Sequence, residues 1–139
     1  MRDELQVAAT IENVRQVCDF VRDAGKRLRL PDEVLSDVDL AVEEASVNIV
    51  RHAYGPGQSG DIQVRLETTD GAIRITLTDW GRPFDAEAAH LAVDVPLEVR
   101  AEGGMGVLLI HGLMDEVART TAPAPGGPNV LTMVKHTGR

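Results

Sequence analysis

The chain has 139 residues, a length that suits one domain burying about two-thirds of the surface its unfolded form would expose. Apolar residues make up 43% and aromatics only 3%, which excludes a disordered chain and leaves Val, Leu, Ile and Ala to build the core. The formal charge of −8, from 14 basic and 22 acidic residues, argues against binding nucleic acid through its phosphates.

Cys18 is the only cysteine, so an intrachain disulfide is excluded, and its amphipathic surroundings read as those of a buried apolar filler. The first ten residues hold no apolar run of signal-peptide length, and no segment reaches the roughly 18 apolar residues of a membrane span. A soluble, cytoplasmic protein without a membrane partner is expected.

In chain order, residues 5–9 form a short apolar run suited to a strand. Thr10 can cap a helix over 11–28, whose apolar positions include Val14, Val17, Cys18, Val21 and Leu28. Leu30-Pro31-Asp32 breaks the chain, and Pro31, Asp32 and Glu33 suit the start of a second helix over 32–53. Gly55-Pro56-Gly57 stops it.

Residues 61–68 alternate, with Ile62, Val64 and Leu66 against Gln63, Arg65 and Glu67. Asp70-Gly71 signals a hairpin into an antiparallel strand carrying Ile73, Ile75 and Leu77, which ends at Asp79-Trp80-Gly81. Residues 82–104 have weak periodicity and hold Pro83, Pro96, Gly103 and Gly104; so long a loop is functional or disordered. A helix over 105–114, a strand over 116–121, a Pro/Gly turn over 122–128 and a strand over 130–135 complete the chain. The order β-α-α-β-β-loop-α-β-β predicts an α/β (α+β) fold: a two-layer sandwich over 1–139, helices covering one face of a mixed sheet.

Three segments could carry chemistry. Glu44, Asn48 and His52 share one ridge of the second helix, beside an apolar stripe of Val34, Val38, Ala41, Ala45 and Ile49. Glu43 is rotated about 100° off that ridge. Alone, the polar row is equally a solvated helix edge. Asp79 leaves a strand where it could accept a hydrogen bond from a ligand amino group, and Gly81 could let a flat ring approach; an ordinary Asx/Gly turn looks the same. Glu102-Gly103-Gly104-Met105-Gly106-Val107 opens a helix whose free N–H groups suit phosphate, or forms a flexible hinge. It lacks the Walker Gly-Lys-Ser/Thr.

In order and spacing the three together resemble the GHKL ATPase superfamily, and within it the bacterial anti-sigma factor serine/threonine kinases. Glu44-x-x-x-Asn48-x-x-x-His52-Ala53-Tyr54 looks like the N-box, and Asp79-x-Gly81-x-Pro83-Phe84-Asp85 like the adenine box. Gly104-Met105-Gly106, followed by Leu109-Ile110 and Leu113-Met114-Asp115-Glu116-Val117, looks like the second glycine box. The resemblance spans essentially the whole chain. It implies a Bergerat-type ATP-binding fold with a mixed, mainly antiparallel sheet and an ATP lid over residues 85–103.

It further implies roles. Asn48 would hold the Mg²⁺ that bridges the ATP phosphates, and Glu44 would be the general base toward a protein serine. Asp79 would accept from the adenine amino group, Gly81 would give the ring room, and Thr132 would assist at adenine. Gly104 and Gly106, with Gly103 and Met105 in the same segment, would let backbone amides reach phosphate. His52 would support the site or serve as a satisfied core histidine. Glu102 stands where many relatives place an arginine against the γ-phosphate, and the nearest arginine is Arg100. Pro83 replaces the wider superfamily's second adenine-box glycine. Arg15 matches a basic position that relatives use to hold partners, or is a solvated arginine.

The function implied is an anti-sigma factor and ATP-dependent protein-serine kinase acting on an anti-anti-sigma protein of STAS type. A sigma factor is the other partner, and a homodimer is expected. The alternative is an ATP-binding partner switch without catalysis.

Overall fold

In the computed structural model, the residues described are 1–54, 59–82, 104–124 and 126–137, with the side chains of 104–108 outside that set. The expected stop at Gly55-Pro56-Gly57, the lid over 85–103, Arg100 and Gly103 fall outside the described residues.

Five strands form one sheet in the order β1-β2-β3-β5-β4. They are β1 (Arg2–Ala8), β2 (Asp61–Thr69), β3 (Ala72–Asp79), β4 (Glu116–Thr120) and β5 (Asn129–His136). Three helices, α1 (Ile11–Arg27), α2 (Asp32–Asn48) and α3 (Gly104–Leu113), accompany them. The strands alternate because each is half-buried: Ile62, Val64 and Leu66 of β2 and Ile73, Ile75 and Leu77 of β3 point inward. Met133 of β5 joins them, facing Ile75 across the ladder. Val17, Val21, Val38, Val42 and Ile49 pack onto this face from the helices. Each such side chain, fully buried, contributes roughly 1.5–3 kcal/mol.

The helix ends follow local chemistry. Thr10 caps α1 by accepting the Asn13 N–H at 3.2 Å, as the sequence predicts. At the other end Leu30 N donates to Gly25 O at 3.1 Å, and Arg29 takes the left-handed position with φ 54°. Pro31 is the N-cap of α2, which begins at Asp32 as the sequence predicts. Asp32 and Glu33 occupy the first turn.

Two expectations change. The strand predicted at 5–9 starts at Arg2 and pairs along its whole length, Arg2 opposite Glu67 and Ala8 opposite Asp61. Its outer face is polar, and the Glu4–Arg65 pair at 2.9 Å is a direct cross-strand neighbour pair. The mixed character expected of the sheet is not present among the described strands, since all four pairings are antiparallel. Strands β3 and β4, joined through α3, do run the same way, but β5 turns back and inserts between them.

Lys135 of β5 ties the layers together. Its Nζ donates to the Leu113 carbonyl at the end of α3, at 2.6 Å, and pairs with Asp37 of α2 at 3.1 Å.

Candidate active site

The inward phase of β3 runs Ile73, Ile75, Leu77, Asp79, so the strand ends by driving a carboxylate into the helix-covered face, where Asp79 is 2% exposed. Across the ladder Asp79 pairs with Ile62 on one side and Asn129 on the other. Asp79 Oδ1 accepts from Gly81 N at 3.0 Å and from Asn129 Nδ2 at 2.9 Å. Both hydrogen bonds of this carboxylate among the described residues fall on Oδ1, so Oδ2 is the oxygen available to a ligand amino group.

On α2, Glu44 is half-buried and Asn48 is 6% exposed. Neither makes a side-chain hydrogen bond among the described residues. Two polar groups one helical turn apart, partly or largely withdrawn from solvent and without a side-chain hydrogen bond among the described residues, suit a bound polar ligand. Glu43, by contrast, is exposed and lines a groove of about 300 Å³ between α1 and α2 together with Arg15, Ile11 and Val47. Arg15 is thus placed with Glu43.

After Asn48 the helix widens into one π-helical turn, Ile49–Ala53. Its i→i+5 bonding lowers the angle per residue, so α-helical spacing holds from Glu44 to Asn48 while the step from Asn48 to His52 follows the wider turn. That turn is stitched to the end of β3. Trp80 N donates to Tyr54 Oη at 2.9 Å, Arg82 N to Ala53 O at 2.8 Å, and Arg82 Nε to His52 O at 2.8 Å. Tyr54 Oη in turn donates to Asp61 O, and burial pushes this phenol above its ordinary value.

Gly81 belongs to this seam. A Cβ there would lie 2.2 Å from Ala53 O and 2.5 Å from its carbonyl carbon. The glycine is therefore demanded by the protein's own backbone, whatever room it also leaves for a ligand. The third element is α3, which begins at Gly104 and packs against α2. Gly104, Met105 and Gly106 form its first turn, whose N–H groups have no partner within the helix.

A cation fits the donor set. Among the described residues no group of three or more His, Cys, Asp and Glu converges. Mg²⁺ that keeps waters and takes phosphate oxygens needs little from the protein, and the Asn48 amide offers one hard oxygen.

Thr132 is a correction. On β5 the inward phase runs through Asn129, Leu131 and Met133, so Thr132 lies on the opposite face, across from Thr76 and Ala118. Asn129, 1% exposed, takes the place beside Asp79. The signal for it was a polar residue in the core phase of an alternating strand. Tyr54 was the other omission, a residue at the helix end whose hydroxyl joins α2 to both β2 and β3.

Residues 7–135 match the family model described as histidine kinase-like ATPase domain. Serine-protein kinase RsbW of Oceanobacillus iheyensis is 33% identical over 119 residues, 82% of this chain and 75% of that relative. The protein of the same name from Staphylococcus aureus is 32% identical over 129 residues, 88% and 80% of the two lengths. Among solved structures, the RsbU and RsbW domains of a Mycobacterium tuberculosis protein match with a TM-score of 0.70 at 20% identity, over 99% of this chain and 33% of that one. The SiaB–SiaC complex of Pseudomonas aeruginosa gives 0.61 at 16%, over 94% and 88%. At such identities the structural likeness speaks for the fold.

Proposed function

The chain belongs to the histidine kinase-like ATPase family, and from that premise we propose that it is an ATP-dependent protein-serine kinase and anti-sigma factor. It sequesters a sigma factor, and it inactivates an anti-anti-sigma protein of STAS type by phosphorylating a serine. The observation that carries this reading is the pair Glu44 and Asn48, withdrawn and unpartnered among the described residues, on a helix stitched to the strand that ends in Asp79. The relatives named serine-protein kinase RsbW support it at 32–33% identity.

The division of labour follows from position. Asp79 Oδ2 accepts from the adenine amino group. Backbone N–H groups at the start of α3 donate to phosphate, where the helix dipole favours negative charge. Asn48 supplies a hard oxygen for Mg²⁺, which when bound neutralises charge on the phosphate oxygens. Glu44 takes the proton of the acceptor serine as its Oγ bonds the γ-phosphorus; the bond from that phosphorus to the bridging oxygen breaks and ADP leaves.

Incubation with Mg-ATP and the cognate antagonist, read by intact mass, tests this. Wild type adds one phosphate to the antagonist, and Glu44→Gln slows the addition by about a hundredfold or more, the usual worth of a general base. Equal rates in wild type and Glu44→Gln remove the kinase assignment. Glu102, in place of the basic residue many relatives carry, motivates a second reading: an ATP-binding switch that holds its partner without transfer. Tight partner binding with no phosphorylated product would select it. We also propose a homodimer, which light scattering at tens of micromolar tests; a monomeric mass would remove it.

A further inference from the structure

Asn129 has a defined orientation. Its Nδ2 donates to Asp79 Oδ1 at 2.9 Å and to Gly81 O at 3.0 Å, and its Oδ1 accepts from Ala122 N at 3.0 Å. Two donors meet two acceptors and one acceptor meets one donor. A flipped amide would set oxygen against a carboxylate and a carbonyl, so the network fixes which end is which. Asn129 is 1% exposed, and its partner Asp79 2%.

Together with Gly81 N, this amide engages Asp79 Oδ1 from two sides. Two donors on one oxygen fix the position and plane of this carboxylate, whose oxygens are otherwise equivalent acceptors. Oδ2 takes no hydrogen bond among the described residues and is a pure acceptor held in a fixed place, the polarity that favours a base with an amino group and disfavours one with a carbonyl there. Asn129 also holds both ends of the dipeptide step after Asp79, through Gly81 O, and anchors the chain leaving β4 through Ala122 N.

We propose that Asn129 is a specificity-determining positioning residue: acting through Asp79, it sets the preference for a 6-aminopurine over a 6-oxopurine nucleotide. The inference rests on the reading of Asp79 as the base-recognition residue. Asn129 is not a catalytic residue, so its loss raises the KM for ATP and leaves kcat at saturation nearly unchanged.

The test compares ATP with inosine triphosphate, by equilibrium binding and by KM and kcat, in wild type and two variants. Asn129→Asp keeps the shape and the acceptor for Ala122 N but withdraws both donors. Asn129→Ser is smaller and uncharged, and keeps the test available if Asn129→Asp fails to fold. Each variant should lose about tenfold to a hundredfold in ATP affinity, the worth of hydrogen bonds to a charged group. Affinity for inosine triphosphate should change little, so the preference between the two collapses. Equal losses for both nucleotides, or an ATP affinity within twofold of wild type in a folded variant, would overturn the proposal and leave Asn129 as a brace for the β4–β5 turn. Failure of wild type to bind ATP at all would instead refute the underlying nucleotide reading.

Discussion

Replacing Gly81 by Ala separates two explanations of that glycine. The added Cβ would sit 2.2 Å from Ala53 O, 2.5 Å from Ala53 C and 2.8 Å from Ala53 Cβ. Two of these are backbone atoms at the π-helical turn and cannot rotate away. The Gly81 backbone lies outside the left-handed region, so the cost is steric and not conformational. Overpacking of this kind costs about 1–3 kcal/mol. Parting the seam also strains the Arg82 N to Ala53 O bond of 2.8 Å, worth about 1 kcal/mol. A total near 3 kcal/mol lowers the melting temperature of a domain of this size by about 10 °C. Adding Ala53→Gly removes only the Cβ contact and should restore a minor part. Calorimetric melting without nucleotide is the assay. A Gly81→Ala protein that melts within 1 °C of wild type, while losing ATP affinity, would refute the packing argument and return Gly81 to the role of making room for a ring.

Other substitutions test the frame. Lys135→Met removes the donor to the Leu113 carbonyl and leaves Asp37 without its partner, so unfolding in urea should show a loss of about 1–3 kcal/mol. Arg29→Gly relieves a non-glycine residue at φ 54° and should gain about 1 kcal/mol in the same assay. Cys18 is 6% exposed, and burial pushes its thiol from 9.0 up to about 12, with Asp39 and Glu43 adding to the shift. Alkylation of the native protein at pH 8 should therefore be far slower than that of the urea-unfolded chain. Because the folded value is the higher one, this thiol's contribution to stability is complete below pH 9 and is lost as pH rises from 9 to 12.

Much of the fold was legible because burial here follows simple periods. The alternation of Ile62, Val64 and Leu66 and of Ile73, Ile75 and Leu77 marks β2 and β3 with their turn, where Gly71 takes φ 77°. The helix spans follow from Thr10, Pro31 and the apolar spacing between them. Edge strand β1 was half-hidden, since Arg2, Glu4 and Gln6 on its outer face carry no apolar signal. The π-helical turn has no sequence period to betray it, and it changes the angular spacing from Asn48 to His52. At the site, Asp79 was legible from its place at a strand end, but its restraint by Asn129 required the register of β3 on β5. Thr132 was misplaced because a strand assignment without its phase cannot say which face a residue occupies.

Asp79→Asn probes the central claim, that Asp79 reads the base of a nucleotide. Gly81 N and Asn129 Nδ2 both donate to Oδ1, so an asparagine at 79 must set its own oxygen there and turn its Nδ2 toward the ligand. The acceptor facing an amino group becomes a donor, which favours a carbonyl. Titration of wild type and Asp79→Asn with ATP and inosine triphosphate should show ATP preferred by wild type and the preference reversed in the variant. A variant that still prefers ATP with wild-type affinity, or a wild type that binds neither nucleotide, would contradict the account.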